Sequence, residues 1–326
     1  MASDPRYGPR LGGARLQVGP GPAARNETLA AFAFNPTTDQ GFVVGLPFLG
    51  GKLETEFWQV DQAVSSGIDD DVSWRRAGDL VFLAWQTPDD GSTDPSLLAE
   101  AGYSRLLTLA RRLERPCLLR AWNFMPDINA GDGDQERYRR FCLGRAQALE
   151  QAGIHVPELC AGTAIGGRDP VLRLFVLAGS RPGINIENPR QISAYCYPRI
   201  YGPRSPSFAR ATALPLPDGD MLLMISGTAS VVGHKTVHEG DLTAQLEEIE
   251  RNLRSLLNES AARLARPQLG DFGPGSLLRA YVRHQSDWPL VRDHLARAWP
   301  GLPVAGLEGD ICRSDLLVEI EAVCVG

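Results

Sequence analysis

Two amphipathic helices set among short apolar runs of strand length constrain this chain more than any other feature. The first opens at Asp94-Pro95, an N-cap followed by a first-turn proline, and runs to about Leu113. Its expected buried stripe is Leu97, Leu98, Leu106, Leu107 and Leu109. The second begins near Asp134, passes through Tyr138, Phe141 and Arg145, and ends about Gln151, before Gly153. Between them, Cys117 to Phe124 reads as a strand that ends at Pro126. Upstream, strand-length runs punctuated by Gly and Pro fall near 28–34, 41–46, 53–60 and 78–86. Downstream, strands fit 157–165, 171–179, 191–198, 210–216 and 221–232. A long helix from a cap at Asp241 then covers about 241–258. Shorter helices reach about Ala298, and strands near 303–308 and 314–325 follow.

This order predicts an α+β fold of two units, each a mixed sheet packed on helices. A length of 326 residues suits two cores of ordinary size. The expected division is a leader at 1–25, an N-terminal unit at 26–167 and a C-terminal unit at 168–326, parted at the Gly166-Gly167-Arg168-Asp169-Pro170 turn. The leader is rich in Gly, Pro and Arg, with too little apolar surface to offset the entropy of ordering. Identity between the halves is too weak to indicate a repeat.

The net charge of −6 disfavours a nucleic-acid or anionic-membrane binder, because phosphates need a basic face. No apolar run approaches the roughly 20 residues that cross a bilayer. No apolar segment follows the basic residues of the N-terminus, so no secretory signal is expected. Six cysteines (117, 142, 160, 196, 312 and 324) show no zinc-ligand spacing, and reduced thiols in a cytoplasmic chain are expected. There is no GxSxG elbow, no phosphate loop and no dinucleotide fingerprint. His234 and His238 stand four apart without the glutamate of a zinc protease motif, so they are read as hydrogen-bonding or capping residues. Neither metal nor cofactor is expected.

Three clusters carry the chemistry. The run from Asn188 to Arg210 holds Tyr195, Tyr197 and Tyr201 with Arg190, Arg199, Arg204 and Arg210, stiffened by prolines. Rigid backbone holds side chains in place before a ligand arrives, and arginine clamps carboxylates. In the second helix, Tyr138 and Arg145 share a core-directed face with Phe141 and Cys142. An arginine there needs an anion, either a protein carboxylate or a ligand. Arg139 and Arg140 point elsewhere, toward solvent. In the last strand, Leu317, Glu319 and Glu321 alternate with Leu316, Val318 and Ile320. The carboxylate face is either an exposed sheet surface or a cleft wall, where desolvation would fit a glutamate to donate a proton. Alternation does not choose between Glu319 and Glu321.

Together with Arg120–Asn129 and Ile225–His234, these clusters resemble the chorismatase family along nearly the whole chain from residue 28. The resemblance implies two RidA/YjgF-like units and cofactor-free cleavage of the enolpyruvyl ether of chorismate. It makes Tyr138, Arg145, Tyr197 and Arg210 the substrate-binding set and Glu319 the catalytic acid. Gly227 and Cys312 match the branch that forms 3-hydroxybenzoate and pyruvate, some members of which also release 4-hydroxybenzoate. The hydrolytic branch, which forms a dihydroxycyclohexadiene carboxylate, tends to carry Ala at the position of Gly227. In this reading Gly227 makes room for an altered ring pose and Cys312 lines that wall. A monomer is expected, because two fused units cover internally the surfaces that small relatives bury as trimers. An enamine/imine deaminase of the same fold and a non-catalytic small-anion binder are the other classes.

Overall fold

The computed structural model describes residues 14–21, 27–35 and 41–326. Five short strands come first: β1 (Leu16–Gly19), β2 (Thr28–Ala33), β3 (Phe42–Val43), β4 (Phe48–Gly51) and β5 (Thr55–Val60). The meander β6 (Ser65–Asp69), β7 (Val72–Ala77) and β8 (Leu80–Pro88) leads into helix α1 (Pro95–Arg112). Strand β9 (Cys117–Pro126), helix α2 (Arg137–Gln151), and strands β10 (Ala161–Gly167) and β11 (Val171–Gly179) follow. Next come β12 (Ile184–Ile186), β13 (Ala211–Pro215), β14 (Met221–Thr228) and the small hairpin β15 (Val231–Val232) and β16 (Lys235–Thr236). Helix α3 (Leu242–Leu264), β17 (Leu277–Val282), α4 (Trp288–Ala298), β18 (Val304–Glu308) and β19 (Val318–Val325) close the chain.

The expected α+β architecture is present, and its two large sheets share one topology. The first runs β10-β9-β11-β8-β7-β6, and the second runs β18-β17-β19-β14-β13-β12 with β4 added beside β18. Each is antiparallel except for one pair, β9–β10 across α2 and β17–β18 across α4. The repeat invisible in residue identity is therefore plain in connectivity. A third sheet, β1-β5-β2-β3, completes the strand framework.

The helices cover one face of each large sheet. Leu106, Leu109, Phe141 and Leu149 pack on the first, and Ile249, Leu253, Val291 and Leu295 on the second. The opposite faces meet the small sheet around an aromatic core that includes Phe32, Trp58, Trp122 and Tyr281. Phe32 and Trp58 approach Trp122 with ring centroids at 5.1 and 5.4 Å.

Several expectations are corrected. Part of the supposed leader is strand β1, because Leu16 and Val18 alternate inward and pair across to Val60 and Trp58; residues 1–13 and 22–26 lie outside the described residues. The 191–198 segment is no strand but carries the short 3-10 turn Ala194–Cys196 and ends at Pro198, the N-cap of a second turn, Arg199–Tyr201. The sheet does not change at the 166–170 turn. Strand β11 pairs with both β8 and β9, so apart from β4 the strands of the second sheet begin only at Ile184. Leu97 is 59 % exposed, leaving the buried stripe of α1 to Leu106, Leu107 and Leu109. The final strand starts at Val318, four residues later than expected.

Two junctions place the functional face. Edge strand β10 meets the second sheet through side-chain oxygens: Gly162 N donates to Ser226 Oγ at 2.9 Å, and Gly227 N donates to Thr163 Oγ1 at 3.1 Å. Helix α2 lies tight on α1 at Gly144, where a Cβ would overlap the Ser96 carbonyl oxygen and stand 2.6 Å from its carbon. An exposed helical Gly→Ala change stabilises by about 1 kcal/mol. Here overpacking reverses the sign: Gly144→Ala should cost about 1–3 kcal/mol and lower Tm, as read by thermal denaturation. An equal or higher Tm would contradict this packing.

Candidate active site

A cavity with an empty volume of about 920 Å³, including its open mouth, lies where α2, β10, β14 and β19 converge. The seven residues singled out in the sequence for substrate or catalysis all line it: Tyr138, Arg145, Tyr197, Arg210, Gly227, Cys312 and Glu319. Helix α2 contributes Tyr138 and Arg145 from one face, as their spacing requires. The proline-rich run contributes Tyr197 and Arg210. Strand β19 contributes Glu319, and the loop before it Cys312.

Of the arginines that line the cavity, Arg145 and Arg210 are buried, and neither guanidinium has a carboxylate within 4 Å among the described residues. The Arg145 guanidinium sits 5.0 Å above the Tyr103 ring, and its Nε has no hydrogen-bond partner. Arg210 donates to Tyr197 Oη at 2.7 Å and to the Ile192 carbonyl at 3.0 Å, with its own Nε unpartnered. Glu187 approaches Arg210 from behind and accepts from its backbone N–H at 3.3 Å, but burial raises that carboxyl toward its neutral form. Buried cations in this state favour an anion.

The two glutamates of β19 are told apart by their partners. Glu321 accepts from Trp122 Nε1 at 2.6 Å and Tyr281 Oη at 2.9 Å, and lies 3.1 Å from Arg120 and 3.5 Å from Arg279. Burial alone would raise its carboxyl, but the arginines and these donors overcome that and hold it down at about 2. Glu319 is 4 % exposed and has no salt bridge among the described residues. Burial first, then the charge of Glu321, pushes it up to about 8, against a smaller opposing pull from Arg120 and Arg210. At neutral pH one carboxyl is ionised and the other carries a proton.

Gly227 packs directly against the acid. A Cβ there would overlap Glu319 Oε1 and stand 2.5 Å from its Cδ, so the missing side chain is space filled by the acid itself. Burial and the nearby Glu319 push the Cys312 thiol up, and burial pushes Cys142 up to about 12. Both thiols therefore keep their protons, and both line the cavity. The Tyr138 phenol, beside Cys142, Cys312 and Glu319, is raised well above its ordinary value by burial and keeps its proton as a donor.

Sequence reasoning missed much of the supporting shell. Arg139 was expected in solvent, but it lines the mouth, paired with Glu136 at 2.7 Å. Arg140 instead pairs with the α1 cap Asp94. Arg313 lies 4.1 Å over the Tyr201 ring and donates to the His234 carbonyl at 2.9 Å. His234 itself meets Tyr201 Oη at 3.2 Å, in the hydrogen-bonding role expected of it. Asn123 and Thr163 join the lining, linked by Asn123 Nδ2 donating to the Thr163 carbonyl at 2.8 Å. A lone charged residue inside an apolar strand, as with Arg120 and Arg279, was the available signal for the buried ion network. No group of three or more His, Cys, Asp or Glu suited to a metal occurs among the described residues.

The chain is similar to known proteins over most of its length. The family model for FkbO/Hyg5-like chorismatase, N-terminal, matches residues 56–178. A 3-hydroxybenzoate synthase of Streptomyces hygroscopicus is 36 % identical over 300 residues, covering 88 % of this chain and 87 % of the relative. A chorismatase of the same organism is 39 % identical over 273 residues, covering 82 % and 78 %. A chorismatase crystal structure superposes with a TM-score of 0.79 at 34 % identity, over 95 % of this chain and 97 % of that one. The chain belongs to the chorismatase family.

Proposed function

We propose that the chain converts chorismate to 3-hydroxybenzoate and pyruvate, with Glu319 as the proton donor. The observation that carries this reading is one pocket holding a buried, protonated carboxyl together with two buried arginines that no protein carboxylate neutralises. Two such cations suit a dicarboxylate. Arg145 and Arg210 each take a carboxylate, and Tyr138 and Tyr197 add directed hydrogen bonds. The protein acts as a cytoplasmic monomer, its two large sheets already joined within one chain.

Glu319 delivers its proton to the terminal methylene carbon of the enolpyruvyl group, using the double-bond electrons. The ring C3–O bond breaks, and its electron pair completes the carbonyl of pyruvate. The neighbouring C4 hydroxyl oxygen closes onto C3, and its proton returns to the Glu319 carboxylate. The C4–O bond of this arene-oxide-like ring then breaks, and as the ring gives up a proton from C3 to become aromatic the oxygen left on C3 takes one up, giving the phenol. The products together hold the atoms of the substrate, so no water is consumed and the acid is regenerated. Gly227 lets the carboxyl lie flat against β14, and that seat sets where the proton arrives.

Glu319→Gln should reduce pyruvate release from chorismate by about 10²–10⁴; a near-normal rate would contradict the assignment. Because the active form carries the proton, turnover should hold below about 8 and decline as pH rises past it. A bound dianion, by adding negative charge, would move this limb further up. Gly227→Ala must displace the Glu319 carboxyl, and product chromatography should show a smaller 3-hydroxybenzoate share with dihydroxycyclohexadiene carboxylate appearing. An unchanged product pattern would contradict the role given to Gly227.

A further inference from the structure

The charges around Glu319 can be tallied from every element packed on it. Helix α2 presents Tyr138, the loop before β19 presents Cys312, β9 presents Arg120, and the residue before β13 is Arg210. Its own strand presents Glu321. Of these, Arg120 and Arg210 are the cations able to draw Glu319 into its ionised form. Arg210 is turned to Tyr197 and the Ile192 carbonyl. Arg120 is taken by Glu321 at 3.1 Å and by Thr163 Oγ1 at 2.6 Å. Glu321 is in turn tied to Arg279, which is held by Glu56 through two hydrogen bonds of 2.6 and 2.8 Å. Two carboxylates and two guanidiniums thus close on themselves, leaving no unpaired guanidinium of the network for Glu319.

We propose that Glu321 is a positioning residue for the reaction: by occupying Arg120 and standing as a fixed negative charge on the same strand face, it keeps Glu319 unpaired and proton-bearing. This rests on the reading of Glu319 as the acid. It also gives the returning proton a destination: with Arg210 taken by the substrate carboxylate and Arg120 by Glu321, a newly ionised Glu319 is left facing the charge of Glu321. Glu321 is buried and does not line the cavity, so its effect must appear in the pH dependence of turnover rather than in binding.

The test is the pH profile of kcat for pyruvate release by the full chain in wild type, Glu321→Gln and Glu321→Asp. In Glu321→Gln, Arg120 is freed to pair with Glu319, and the alkaline limb should fall by about one pH unit or more. A one-unit fall drops turnover about fivefold near pH 8, and turnover largely recovers near pH 6, with KM little changed. Glu321→Asp keeps the charge and should keep the limb near the wild-type position. A limb unmoved in Glu321→Gln, or a rate lowered by one factor at every pH, would overturn the proposal and leave Glu321 a purely structural residue. Should Glu321→Gln fail to fold, Arg279→Gln decides the matter. It strips a counter-cation from Glu321 and should move the limb up, and a stationary limb there overturns the proposal. Failure of the underlying reading is separately visible, because Glu319→Gln would then retain its rate.

Discussion

The ion network of Glu56, Arg279, Glu321 and Arg120 is the interaction on which the rest of the structure depends. It ties the small sheet at β5 to the second large sheet at β17 and β19, and then to the first at β9. All four residues are at most 2 % exposed. A buried ion pair repays its desolvation only when geometry is good and the remaining polar atoms are satisfied. Trp58 Nε1 on Glu56 at 2.7 Å, with Trp122 and Tyr281 on Glu321, supplies much of that satisfaction. The Arg279 guanidinium also lies 4.3 Å over the Phe32 ring, so the aromatic core and the network position one another.

From this follows the asymmetry that makes the site. Strand β19 places two carboxyls on one face, and the network ionises one and leaves the other in apolar surroundings. The same economy of charge applies on the opposite side of the cavity, where Arg145 and Arg210 have aromatic and neutral oxygen partners but no protein anion. A neutral acid beside uncompensated cations suits a dianionic substrate that must be protonated on carbon. Arranging the groups in this way costs folding energy, and that cost is the preorganisation catalysis uses.

Much of the site was legible in the sequence because its groups sit on regular elements. Tyr138 and Arg145 are two turns apart on one helix, and the proline-rich run announced a rigid lining. The choice between Glu319 and Glu321 was not legible, since strand alternation treats them alike. What separates them lies far along the chain: Trp122 is 199 positions from Glu321, and Arg279 is 223 from Glu56. Neither contact follows from local periodicity. The same holds for Gly227, whose missing side chain makes room for a glutamate on the neighbouring strand. Strand β1 and the late start, β4 apart, of the second sheet at Ile184 were missed for the same reason, because sheet membership is decided by partners rather than by the segment itself.

The central claim is that, of two adjacent buried glutamates, Glu319 carries a proton at neutral pH and Glu321 does not. Infrared difference spectroscopy of the substrate-free protein, wild type against Glu319→Gln, tests this directly. The account predicts a protonated-carboxyl C=O band at pH 7 that vanishes in Glu319→Gln and, in wild type, fades as pH is raised past about 8. A carboxylate band for Glu319 at pH 7, with no protonated band lost on substitution, would contradict it.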